Sequence, residues 1–248
     1  MLGLNKVRIF LVCLVALVAD FARAGDEVFL SDLSRSSAQA WIKDAESAGA
    51  VDAGVPAQPS RHLPFATNEP SPLILILEGI GMAIPEYFLS VIKHEGSHAL
   101  LGMLMGAKVT RFEVLPQIYN GSVAWGITSF DRTFNREQHI ALDIAPKVTN
   151  MFVLTSFTVA FETGLYPEDK HLQMMLLVVA TSAWVDFSKD IFSSDLNKDI
   201  QDAWLRMGLY EEKDRLPHRI LWAALSLGAA VEIGRGFYKL FKTASPSV

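Results

Sequence analysis

This sequence has very little cysteine and no excess of positive charge. The chain of 248 residues has one cysteine, Cys13, which lies in an apolar stretch near the N-terminus. If that stretch is removed as a leader, the remaining chain can form neither a disulfide nor a zinc site with cysteine ligands. The formal net charge is −5. Proteins that bind nucleic acid usually carry a basic face, so we expect no nucleic-acid partner.

The N-terminus has the three-part pattern of a secretory signal peptide. Lys6 and Arg8 precede an apolar centre, which is followed by an A-x-A site at residues 22–24. The apolar centre is shorter than the ~20 residues that a spanning helix needs. We therefore expect residues 1–24 to be a cleaved signal peptide, and an uncleaved N-terminal anchor is the alternative.

The polar segment after the leader gives way to apolar blocks. Residues 25–71 are rich in Ala, Gly, Pro and Ser, which is typical of a linker or a loosely ordered arm, although a recognition segment has the same composition. Residues 72–243 are expected to form the main domain, and residues 244–248 a short tail.

Four apolar blocks follow one another in the main domain, and each is near the ~20 residues that cross a bilayer. They cover residues 72–107, 148–166, 171–192 and 218–241. The expected fold is mainly α: a polytopic membrane bundle of about four transmembrane helices. Charged residues interrupt the blocks, so four buried helices of a soluble protein are the alternative.

Loop charges predict how such a bundle would lie in the membrane. The segments 106–147 and 193–217 are rich in Lys and Arg, whereas the turn between the second and third blocks is acidic. Basic loops stay on the cytoplasmic side. The predicted protein is therefore integral to the lipid bilayer of a bacterial inner membrane or an equivalent membrane, with its N-terminal arm extracytoplasmic.

The loop after the first block has a β pattern. Apolar and polar residues alternate in "KVTRFEVL" (108–115) and "SVAWGIT" (122–128), and the tight-turn pair Asn120-Gly121 lies between them. We expect a small cytoplasmic β-hairpin or sheet.

The motif "HEGSH", residues 94–98, lies at the end of the first apolar block. Residues four apart share one face of a helix, so His94 and His98 can both direct a ring nitrogen at one zinc ion. Glu95 is then placed to act as general base on a zinc-bound water. This is the HExxH pattern of zinc hydrolases. A pair of surface histidines without a metal is the alternative.

A catalytic zinc needs a third protein ligand and an open position. The extended motif HExxHxxGxxH is excluded, because positions 101 and 104 are both Leu. Glu113 and Glu137 are weak candidates for a glutamate ligand, since they lie in the loop that is predicted to be β or polar.

The order of these features resembles the site-2 protease family of intramembrane zinc metalloproteases. That family has HExxH in its first core helix, then a β-rich cytoplasmic loop, then a helix with a Pro-and-Asn motif, then a helix that supplies an aspartate ligand. "HEGSHALLGMLMGAKVTRFEV" is similar to the first motif, and "LDIAPKVTNMFVL", with Pro146 and Asn150, is similar to the second. The resemblance covers roughly residues 73–241, and only its first motif is specific. It implies that Asn150 steadies the substrate strand or the oxyanion; a polar contact between helices is the alternative.

The resemblance also implies an aspartate as third zinc ligand near the end of the third block, in "DFSKDIFSSDLNKDI". The family's L-D-G setting is absent. Asp195 is the favoured residue because it closes this block on the cytoplasmic side, and Asp190 and Asp186 are the alternatives.

The function expected from these features is that of a zinc-dependent endopeptidase. It would hydrolyse peptide bonds in or near transmembrane segments of membrane proteins, with Zn²⁺ held by His94, His98 and Asp195. The substrate is a membrane protein or a peptide. The alternatives are an exported soluble α-helical metalloprotease and a non-catalytic membrane scaffold with a relic HExxH.

Overall fold

The structure is a computed structural model that describes residues 70–119, 122–191, 193 and 198–242. These residues form five helices and four short strands. The helices are α1 (Pro72–Leu104), α2 (Arg136–Thr163), α3 (Lys170–Ser188), α4 (Asp199–Arg206) and α5 (Glu212–Lys242). The strands are β1 (Val109–Glu113), β2 (Gln117–Tyr119), β3 (Ser122–Ala124) and β4 (Ile127–Phe130). The predicted signal peptide, arm and tail lie outside the described residues, apart from the two residues before α1.

Helix α1 begins where the sequence changes from polar to apolar. Pro72 takes the first helical position, where a missing N–H costs nothing, and the Ser71 hydroxyl accepts a hydrogen bond from the backbone N–H of Ile74. The helix ends before Gly106, whose φ of +82° is one that L side chains rarely adopt. Its 33 residues carry the whole HEGSH motif.

Among the described residues, three helices are long and apolar enough to cross a membrane: α1, α2 and α5. The most apolar stretch of α1 has only 11% of its residues buried inside the protein. Such a continuous exposed apolar surface is unusual for a soluble protein and is typical of a membrane protein. The fourth predicted span, residues 171–192, is not confirmed. Its helix α3 has 19 residues and carries polar residues at both ends, which lower its hydropathy.

Helix α3 lies at the centre of the bundle and packs against α1, α2 and α5. Leu177 and Ala183 on α3 are completely buried, and Phe187 stacks on Trp222 of α5 with 4.9 Å between ring centroids. A helix covered by three neighbours has little contact with lipid, so it tolerates the polar residues that an outer spanning helix does not.

Helix α2 runs beside α1 and carries Pro146 and Asn150 in its interior. Asn135 and Gln138 form a capping box at its start, and Gly164, with a φ of +80°, ends it. The hydroxyl of Ser97 on α1 donates to the hydroxyl of Thr149 on α2 over 2.8 Å, which fixes α2 beside the motif.

The loop between α1 and α2 is β, as predicted, but it forms two ladders. Strand β2 pairs with β3 across positions 120 and 121, which lie outside the described residues, and β1 pairs with β4. The second predicted strand is divided between β3 and β4. The ladder of β1 and β4 lies against the end of α1, where Gly102 leaves room for the ring of Phe130. A Cβ at Gly102 would come within 2.1 Å of that ring.

Candidate metal centre

The two motif histidines are held in the same way, each through its Nδ1 atom. The Nδ1–H of His94 donates to Asp186 Oδ2 over 3.0 Å, and the Nδ1–H of His98 donates to the backbone carbonyl of Leu142 over 2.9 Å. When the ring is neutral, a proton at Nδ1 leaves Nε2 as an acceptor. Carboxylate and carbonyl partners of this kind orient the histidine ligands of most metal sites.

Both Nε2 atoms face the carboxylate of Asp199, the first residue of α4. The Oδ2 atom of Asp199 lies 3.0 Å from Nε2 of His94 and 3.7 Å from Nε2 of His98. The histidine side chains are mostly buried, with 13% and 15% of their surface exposed, and Asp199 is 29% exposed. Two acceptor nitrogens and an acceptor oxygen are stable at these distances only when a proton or a metal ion lies among them.

These three residues can hold a metal ion, because their ligand atoms lie within 4.8 Å of one another. Zinc–nitrogen and zinc–oxygen bonds are each about 2.0–2.1 Å, so tetrahedral ligand atoms are about 3.3 Å apart. The two observed nitrogen-to-oxygen separations, 3.0 and 3.7 Å, lie on either side of this value. Two imidazoles and one carboxylate also leave one tetrahedral position open, which a catalytic site requires.

The segment that carries Asp199 is held by α5. Arg219 on α5 donates to the backbone carbonyls of Ile191 and Ser193 over 2.8 and 3.2 Å, and Gln201 on α4 donates to the carbonyl of Asp190 over 3.0 Å. These bonds link the end of α3 to the start of α4 and so place Asp199 beside the motif.

The carboxylate of Asp199 is ionised in this environment. Burial raises its pKa, but the favourable interactions with His94 and His98 outweigh burial and hold the pKa well below its ordinary value. An ionised carboxylate is the form that binds a metal ion.

Glu95, the motif's acidic residue, faces the ladder of β1 and β4 rather than solvent. It is buried, and its Oε2 accepts a hydrogen bond from the Thr128 hydroxyl over 2.8 Å. Gly126, just before β4, lies so close that a Cβ there would be 2.6 Å from Oε1 of Glu95. The β loop therefore positions the carboxylate that the sequence predicts to be the general base.

Asp186, an alternative third ligand in the sequence analysis, lies on the other side of His94. Besides the bond from His94, its Oδ2 accepts from Asn150 Nδ2 over 2.5 Å, and its Oδ1 is 2.5 Å from Lys189 Nζ. It is not among the three residues that can share an ion. Asn150 thus makes a polar contact between helices, the alternative that the sequence left open.

Asp190, the other alternative, pairs with a different group. Its Oδ2 lies 2.6 Å from Lys147 Nζ, and both side chains are almost completely buried. Lys147 also donates to the backbone carbonyl of Asp186 over 2.6 Å. This ion pair ties α2 to the end of α3.

The favoured ligand Asp195 lies outside the described residues, so its assignment stays a prediction. Sequence patterns alone do not single out Asp199, which lies four residues further along. A signal for it exists in the sequence, since it is an acidic residue in the first turn of the amphipathic segment "DIQDAWLR". Thr128 and Gly126 were also missed, because no local pattern shows which strand residues face Glu95.

A cavity of about 1190 Å³ opens beside the metal centre. His94, Glu95 and Asp199 line it, and it follows α1 back as far as Ile76. At 1.5 Å per residue this part of α1 is about 28 Å long, close to the thickness of a bilayer's hydrocarbon core. Its other walls come from α3, from the end of α5 and from residues 124–126.

A comparison of the chain with protein-family models, with curated proteins and with solved structures finds no match in any of the three.

Proposed function

We propose that this protein is a zinc-dependent endopeptidase of membranes, which cleaves peptide bonds in or near the transmembrane segments of other proteins. The observation that carries the proposal is the convergence of Nε2 of His94 and Nε2 of His98 on one oxygen of Asp199, beside the buried carboxylate of Glu95. The resemblance of the motif order to site-2 proteases points to the same function.

In this proposal His94, His98 and Asp199 hold zinc, which supplies Lewis-acid activation of a water and of the substrate carbonyl when bound. Glu95 removes a proton from the attacking water through Oε1, since Oε2 is occupied by Thr128. The same carboxylate then donates that proton to the amide nitrogen that leaves. One C–O bond forms and one C–N bond breaks.

The membrane location follows from the three long apolar helices, of which α1 contains the motif. In the proposed orientation, the start of α1 is extracytoplasmic and the metal centre lies toward the cytoplasm, because the loops that follow α1 and α3 are basic. Extraction of membranes with alkaline carbonate tests the location: the protein stays in the pellet if it is integral, whereas release into the supernatant favours the soluble alternative.

The test of the activity is Glu95→Gln in the full chain, reconstituted with zinc in lipid vesicles and given a synthetic transmembrane peptide. The variant is expected to bind zinc like the native chain and to lose proteolysis, because an amide cannot accept the proton. Glu78→Gln is the matched control: Glu78 is on the same helix, pairs with His171 and is not part of the metal centre.

Two outcomes contradict the proposal. Cleavage that survives in Glu95→Gln removes this residue from the reaction. A native chain that binds zinc and cleaves no transmembrane peptide favours the non-catalytic alternative.

A further inference from the structure

A second carboxylate, Glu86, lines the cavity well away from the metal centre. Glu86 is only 9% exposed, and it is one of the α1 residues that form the cavity wall. Among the described residues Glu86 has no hydrogen-bond or ion-pair partner. A carboxylate in a membrane helix is costly, and without a partner it usually serves a function.

The surroundings of Glu86 do not satisfy it. Ile80, Ala83 and Tyr87 of α1 and Val178 of α3 also line the cavity. Lys93 is near enough for its charge to interact with that of Glu86, but the two do not form an ion pair. The carboxylate is therefore left to meet a group that enters the cavity.

The spacing between Glu86 and His94 along α1 defines how far from the cleaved bond a partner of Glu86 would lie in a bound peptide. Glu86 precedes His94 by eight residues, which is about 12 Å along a helix axis. An extended peptide covers this distance in about four residues and a helical one in about eight.

We propose that Glu86 is a specificity residue that pairs with a Lys or Arg side chain of the transmembrane segment in the cavity. The proposal rests on the proposed function, which makes the occupant a membrane-protein segment. Charge complementarity favours such a segment over a lipid acyl chain, which offers no group to the carboxylate. A basic residue, which is costly in lipid, would gain a charged partner in this cavity.

The experiment uses a series of Leu/Ala-rich transmembrane peptides of about 20 residues, each with one Lys at a successive position. The same peptides with Met in place of Lys are uncharged controls. Binding is measured on zinc-loaded Glu95→Gln chain in lipid nanodiscs, and cleavage is measured on the native chain. Each assay is repeated with Glu86→Gln and with the control Glu78→Gln, whose carboxylate lies outside the cavity lining.

The expected result is a single Lys position at which binding is at least about tenfold tighter than that of the Met peptide. It should lie about four or about eight residues from the scissile bond. The preference should fall to about twofold or less in Glu86→Gln and persist in Glu78→Gln. In Glu86→Lys the preference should pass to a peptide with Glu at that position, which a loss of folding cannot produce.

The outcomes separate this proposal from the proposed function. If binding and cleavage do not depend on the position of Lys, or if the preference is unchanged in Glu86→Gln, the proposed role of Glu86 is wrong. The proposed peptidase activity is not contradicted by either result. A Lys preference in binding without cleavage by the native chain supports Glu86 and contradicts the peptidase. Peptides that neither bind nor are cleaved overturn both.

Discussion

Gly126 offers a sharp test of how the β loop positions the general base. A Cβ added there would lie 2.5 Å from Cγ, 2.6 Å from Oε1 and 2.8 Å from Cδ of Glu95. Non-bonded carbon atoms prefer about 3.5–4.0 Å, so one of the two groups must move by about 1 Å. Gly126 does not have a positive φ, so an alanine at this position brings no backbone strain.

The group that moves should be the Glu95 side chain, because a side chain rotates more easily than the short backbone segment that joins β3 to β4. We therefore expect Gly126→Ala to fold and to bind zinc like the native chain. A displacement of about 1 Å in a catalytic group costs on the order of 10²-fold in rate. The assay is kcat/KM on a transmembrane peptide, with zinc content and thermal unfolding measured on the same sample.

Gly81→Ala is the matched control, since a Cβ at Gly81 has no neighbour within 4 Å. It should keep its activity and gain a little stability, as a helical glycine replaced by alanine does. Native activity in Gly126→Ala would refute the reasoning, as would a loss of activity that comes entirely from lost zinc.

Three further substitutions test the partners of the metal centre. Thr128→Val removes the donor to Glu95 and should lower kcat by about 10- to 100-fold, because hydrogen bonds to charged groups contribute about 1.5–3 kcal/mol. Thr128→Ser should restore kcat, and unchanged kcat in the valine variant would contradict the assignment. Asp186→Asn should weaken zinc affinity about 10- to 100-fold in a chelator competition, because loss of the hydrogen-bond partner of a metal-binding histidine has an effect of this size. Unaltered affinity would show that Asp186 does not orient His94. Lys147→Met leaves Asp190 buried without its partner, so the free energy of unfolding should fall by about 3–5 kcal/mol in denaturant titrations. A change smaller than about 1 kcal/mol would mean that the ion pair contributes little to stability.

The sequence predicts the features that depend on local spacing. The four-residue interval between His94 and His98 places both rings on one face of a helix, and the structure has them there. Alternation in the loop after α1 predicts strands, and strands form. These patterns need no knowledge of the rest of the fold.

The features that depend on distant contacts were not predictable in the same way. Asp199 reaches the histidines because Arg219, on a later helix, holds the connection after α3. Several aspartates occur in that segment, and their order alone does not show which one turns toward the motif. Similarly, the polar ends of α3 are tolerated because three helices cover it, which hydropathy does not reveal.

The central claim is that His94, His98 and Asp199 hold the metal ion. The direct measurement is the zinc content per chain of detergent-purified protein after reconstitution, for the native chain and for His94→Ala, Asp199→Ala and Asp195→Ala. We expect one zinc per native chain, its loss in His94→Ala and Asp199→Ala, and its retention in Asp195→Ala. Zinc retained in Asp199→Ala but lost in Asp195→Ala would contradict the proposed ligand, and no zinc in the native chain would contradict the metal centre itself.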